Sequence, residues 1–69
     1  MKLHYYADTD SLYIDLAETV SADSREISDG VVADYDDRGR VVGLDIQQAS
    51  KHLDLSRIET IHLPLPIAS

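Results

Sequence analysis

The chain contains no cysteine, no tryptophan and no phenylalanine, and only three glycines and two prolines among its 69 residues. Without cysteine there is neither a disulfide framework nor a thiolate zinc site, two of the usual reinforcements of so short a domain. Cations are scarce as well: Lys2, Arg25, Arg38, Arg40, Lys51 and Arg57 lie scattered against thirteen acids, for a formal charge of −7. That balance repels phosphate backbones, so no nucleic acid is expected as a partner. Long apolar runs are also missing. Met1 to Asp10 has no hydrophobic signal-type region and no stretch is long enough to span a bilayer, so the protein is expected to be cytoplasmic and without a membrane partner.

What is present is 43% hydrophobic residues in one domain, 1–69. A chain of this size buries only about 60% of the surface its unfolded form exposes. Self-association is the common reinforcement still open to it, and a homodimer hiding a second apolar face is the expected state.

Period-two alternation dominates the first two-thirds and predicts strands. At Ser11 to Leu16, Leu12, Ile14 and Leu16 fall on one face and Ser11, Tyr13 and Asp15 on the other; Lys2 to Tyr6 precedes it, with Leu3 and Tyr5 on one side. Asp8-Thr9-Asp10-Ser11 is a turn, because Asx side chains bond backbone groups two residues on. Periodicity is lost over residues 17–24, which reads as a loop before a short strand at Arg25 to Ser28. Asp29-Gly30 suits a type I′ turn that pairs this strand with Val31 to Asp36.

The next turn lies at Asp36-Asp37-Arg38-Gly39. A four-residue loop there pairs Tyr35 with Arg40, Ala33 with Val42 and Val31 with Leu44, setting Val31, Ala33, Val42 and Leu44 on one face. A three-residue loop sets Ala33 opposite Gly43 and mixes the faces, a slip that burial penalises. The four-residue loop is therefore expected, with Gly39 left-handed. Beyond Ile46, Gln47 to Leu53 reads as a short helix over the sheet, and Ser56-Arg57-Ile58-Glu59 fits a capping box that starts one more helical turn. From about Ile61 the chain is expected to be extended, since Pro64 and Pro66 impose β or polyproline backbone. The predicted class is α+β, mainly β: an antiparallel β-meander of about five strands, a short C-terminal helix and an extended proline-containing tail.

The acids invite a search for chemistry. Asp34-Tyr35-Asp36-Asp37-Arg38-Gly39, with Asp45 at the twelfth place, partly mimics a calcium loop, which makes Asp34, Asp36 and Asp45 the candidate metal ligands. Arg38 at a ligand position repels a cation, and the plainer reading is an Asx-rich turn in which Asp29, Gly30, Asp36 and Gly39 are structural. Asp8 and Asp10 form a second pair. Paired carboxylates of the glycosidase kind need an apolar pocket and a cleft that so small a chain can hardly enclose. His4, His52 and His62 share no metal-ligand spacing, and there is no nucleophile elbow or phosphate-cradling loop. No catalytic residue and no cofactor is assigned, and the protein is not expected to be an enzyme.

Tyr6, Tyr13, Val32 and Val41 are expected on the sheet face opposite Leu12, Ile14, Val42 and Leu44. Two readings stay open for them: cross-strand pairing of exposed side chains, or a contact surface, since tyrosine is enriched at interfaces. Ile61, Leu63, Leu65 and Ile67 form an apolar tail expected to dock on its own sheet or on a partner.

The order Tyr5-x-x-x-x-Asp10-Ser11-Leu12-Tyr13-Ile14-x-Leu16, then Gly30 to Asp36, then Gly39 to Ile46 and Ala49-Ser50-Lys51, resembles the small prokaryotic domain-of-unknown-function family 2283 (DUF2283) over residues 1–53; the helix and tail of residues 54–69 lie outside the likeness. The resemblance implies a compact β-rich domain with a short helix after the last strand, and no established activity. Members lying beside small toxin-like genes suggest an antitoxin or partner-binding role. Two functions follow: a non-enzymatic interaction or self-association module, with a small protein as a further partner, or a protein that binds a small ligand or divalent metal through its acidic turns.

Overall fold

Alternating side chains commit a strand to two faces, and here five strands combine into one antiparallel sheet. The computed structural model describes residues 1–64. The elements are β1 (Lys2–Tyr6), β2 (Ser11–Asp15), β3 (Asp23–Ser28), β4 (Val31–Tyr35), β5 (Val41–Ile46) and a single-turn helix, α1 (Ala49–His52). The class is the one expected, but the order β1-β2-β5-β4-β3 is not a strictly sequential meander. Chain 16–22 carries the backbone from β2 to the far edge, and β5 returns to lie between β2 and β4. Burial explains the order: β2, β4 and β5 each bury at least one side chain, whereas β1 and β3 are exposed along their whole length. The interior of the sheet is made from the strands with most apolar surface to hide.

Pairing sorts the residues into faces. Leu3 lies opposite Ile14 and Tyr5 opposite Leu12, Leu12 opposite Ile46 and Ile14 opposite Leu44, and Val31 and Ala33 opposite Ile46 and Leu44. On this first face α1 buries Ala49 against Leu12 and Ile46, with Ile14, Val31 and Leu55 packed around them. The second face carries the row His4, Tyr13, Asp45, Val32, Glu26 and, beside it, Lys2, Asp15, Gly43, Asp34, Ser24.

The β4–β5 register differs from the one expected. Asp36 N–H donates to Arg40 O at 2.9 Å and Gly39 N–H to Asp36 O at 3.1 Å, so the loop has three residues, 37–39, with Gly39 left-handed at φ 78° as expected. Tyr35 faces Val41 rather than Arg40, Ala33 faces Leu44 rather than Val42, and Val31 faces Ile46 rather than Leu44. A β-bulge between these positions supplies the missing residue and restores parity, so Ala33 meets Leu44 and not Gly43. The carbonyl of Val42 at the bulge accepts the N–H groups of Leu16 and Ala17 at 2.9 and 3.3 Å, tying down the start of the long link.

Three other expectations are corrected. At Asp29-Gly30 only the glycine has positive φ, 78°, and the strands close with a bulge between Glu26 and Ser28, so the turn is not type I′, which needs positive φ at both residues. Residues 56–59 form no helix: Asp54 accepts both the N–H and the hydroxyl of Ser56, so the serine closes an Asx-type turn instead of capping. Ile61 and His62 form a bend with His62 at φ 59°, not an extended run. No helix among the described residues is long and apolar enough to cross a membrane.

Candidate functional site

Three carboxylates that stood out in the sequence are consumed by the fold. Asp36, only 4% exposed, accepts the N–H groups of Arg38 and Arg40 and the Arg40 guanidinium Nε–H, each at 2.9 Å. The backbone N–H of Arg40, followed by that of Arg38 and the guanidinium, holds its carboxyl below the usual range. Asp10 caps α1 from forty residues away. Its carbonyl receives Ala49 N–H at 2.8 Å, and its carboxylate receives Ser50 Oγ–H at 2.6 Å, Ser50 N–H and Tyr5 Oη–H. Gln48, at the N-cap position, makes no side-chain cap, and the cap comes instead from the β1–β2 turn. The Ser50 hydroxyl is the main reason the Asp10 carboxyl titrates low. Asp34 accepts Tyr13 Oη–H at 2.7 Å and Ser24 Oγ–H at 2.6 Å, and this bond to Asp34, with burial, pushes the Tyr13 phenol up to about 12.

Gly43 is the floor of that last bridge. A Cβ built on it would lie 2.0 Å from Tyr13 Oη and 2.7 Å from Tyr13 Cζ. Tyr13 therefore crosses diagonally over the glycine to reach Asp34, and the bulge is what places Gly43 opposite Asp34. The proposed metal set does not converge: Asp36 is at the hairpin tip, Asp34 is engaged with Tyr13 and Ser24, and Asp45 lies in the next row between Tyr13 and Val32. Among the described residues no group of three or more His, Asp or Glu is placed to hold a metal ion.

The residues expected to form an interface are likewise dispersed. Tyr13 and Val32 share a row of the second face but flank Asp45, and Tyr6, half exposed, pairs with Ser11 at the end of β1. Val41 is opposite Tyr35, a residue of the first face's row, so the bulge removes it from the alternation that assigned it to the second. Ile61 and Leu63 are exposed and lie apart from that face's strands in sequence; Leu65 and Ile67 lie outside the described residues.

The surface that sequence reasoning missed is on the first face. A groove of about 780 Å³ runs between β1 and the segment after α1, lined chiefly by Leu3, Tyr5, Leu12, Leu53, Leu55 and Ile58. Leu3 and Tyr5 are about half exposed and Ile58 more so. The available signal was the position of Leu3 and Tyr5, which alternate onto the core face of a strand that, among the described residues, has no neighbour on its outer side.

The model of a family described as Protein of unknown function (DUF2283) matches residues 2–50. No curated protein and no solved structure matches the chain.

Proposed function

The chain belongs to the DUF2283 family, whose description carries no activity, and we propose from its own surface that it is a non-enzymatic module that self-associates through its first face. The observation that carries this reading is the apolar groove beside β1, where Leu3, Tyr5, Leu53 and Ile58 leave apolar surface open to water. Contiguous apolar surface rimmed by polar residues marks contact sites.

The core supports it. Among the described residues the buried apolar side chains are Leu12, Ala33, Val42, Ile46 and Ala49, and no large side chain is fully enclosed; so thin a core in so short a chain is the kind that association reinforces.

Light scattering across a concentration series tests the reading. The expected mass is twice the 7.7 kDa of the chain, with a melting temperature that rises with concentration and a Leu53→Asp variant shifted toward the monomer. A strict monomer at high concentration, with a melting temperature independent of concentration, overturns it.

A further inference from the structure

The two edges of the sheet are unlike. β3 carries Asp23 and Glu26, is broken by the bulge between Glu26 and Ser28, and holds Arg25 in an ion pair with Asp23 and over the ring of Tyr35. Charge and irregularity of this kind keep an edge from adding a further strand. β1 has no such guard. Lys2-Leu3-His4-Tyr5-Tyr6 contains no proline, glycine or bulge, pairs regularly with β2 over all five positions, and among the described residues is bonded on that side only. Among the described strands it is also the one without a carboxylate, since β2, β4 and β5 carry Asp15, Asp34 and Asp45. In a chain of net charge −7, β1 is where a second copy can approach with least like-charge repulsion.

We propose, resting on the self-association reading above, that two copies pair antiparallel along β1 with His4 on the two-fold axis, joining two five-stranded sheets into one. An isologous contact requires each residue to meet its symmetry mate, and centring on His4 pairs all five residues of the strand. Leu3 then faces Tyr5 of the second copy on the groove side, and Lys2 faces Tyr6 of the second copy on the other. The consequence for the groove is direct. Leu3 and Tyr5 form its β1 wall, so joining the sheets at β1 fuses the two grooves into one apolar floor covered from both ends by the segments carrying Leu53 and Ile58. On the opposite side the Lys2 ammonium comes beside the Tyr6 ring of the second copy, a favourable cation–aromatic pairing.

The absence of native cysteine makes the test clean. In His4→Cys the two thiols face each other across the axis, within the Cα separation that a disulfide or a short bis-maleimide can bridge. A covalent dimer is expected at His4→Cys, and none at Glu26→Cys on the other edge. A second pair fixes the register without touching the axis: Lys2→Cys and Tyr6→Cys should cross-link with each other when mixed, and neither with itself. A dimer mass by light scattering without cross-linking at position 4 and without the Lys2–Tyr6 cross-link, or with cross-linking at position 26 instead, overturns the β1 assignment and leaves self-association standing. A monomer mass overturns both.

Discussion

Replacing Gly43 by alanine adds one methyl group at the point where Tyr13 crosses the sheet. With the new carbon 2.0 Å from Tyr13 Oη and 2.7 Å from Cζ, the ring must swing aside and release Asp34. A hydrogen bond to a charged partner is worth about 1.5–3 kcal/mol, and forcing a side chain off its rotamer costs about 0.5–1.5 kcal/mol more. Alanine returns about 0.5–1 kcal/mol by being stiffer than glycine within a strand. Because Tyr13 is only half-buried, the lower ends of these ranges apply, and Gly43→Ala should destabilise by about 1–1.5 kcal/mol. For a domain of this size each kcal/mol is about 4–8 °C of melting temperature. The assay is urea unfolding at fixed protein concentration, repeated in a Tyr13→Phe background. There the hydrogen bond is already absent and only the ring must move, so the same substitution should cost less by about the value of that bond. A cost within about 0.5 kcal/mol of zero, or an equal cost in both backgrounds, would refute the idea that Tyr13 is held over the glycine.

Gly39→Ala meets no neighbour within 4 Å but must adopt φ 78°, so it should cost about 1–2 kcal/mol by chemical unfolding, and Gly39→Asn clearly less. Gln48 is a non-glycine residue at φ 50° whose side chain makes no capping bond, and Gln48→Gly should stabilise by up to about 1 kcal/mol in the same assay. The Tyr13 phenol, raised to about 12, favours the neutral form in the fold, so its contribution to stability is whole below about pH 10 and is lost as the pH rises through 12. Tyrosinate absorbance of the native protein should therefore show one of its four tyrosines ionising last, and Tyr13→Phe should remove that step.

The strands were legible because burial on one face forces a period of two, and that period survives in Leu12-x-Ile14 and in Val31-x-Ala33 whatever the chain does elsewhere. The β4–β5 register was not legible for an equally physical reason. Parity arguments compare whole strands, and a bulge changes parity within one. Leu44 and Ile46 remain on the core face because the extra residue lies between them and the turn. The sign of the bulge in the sequence was Gly43, which a three-residue loop without a bulge sets opposite Ala33, where its missing side chain leaves a hole, and which the observed register sets beneath Tyr13. The capping-box reading at residues 56–59 failed because Ser56 had a nearer partner in Asp54 and no apolar helical period followed to make a helix worth starting. The groove was invisible because its walls, Leu3 and Leu53, are fifty residues apart in sequence.

The acids show how a chain of net charge −7 holds a thin core together. Asp10, Asp36 and Asp54 each accept backbone N–H groups that would otherwise lack a partner; the Ser50 and Ser56 hydroxyls, with backbone N–H groups, hold the Asp10 and Asp54 carboxyls low, and the N–H groups of Arg40 and Arg38 with the Arg40 guanidinium hold that of Asp36 low. A lowered pKa stabilises the fold at every pH above the unfolded value, near 4, and the contribution is lost as the pH falls through the lower folded value. The remaining charge acts in the opposite direction, since protonating the unpaired acids relieves self-repulsion as the pH approaches the isoelectric point of about 4.5. Melting temperature should therefore hold or rise from pH 7 to about 4.5 and fall only below pH 4. A steady decline beginning at pH 6 would mean that the carboxylates act through solvent-exposed charge and not through the turns and cap they close.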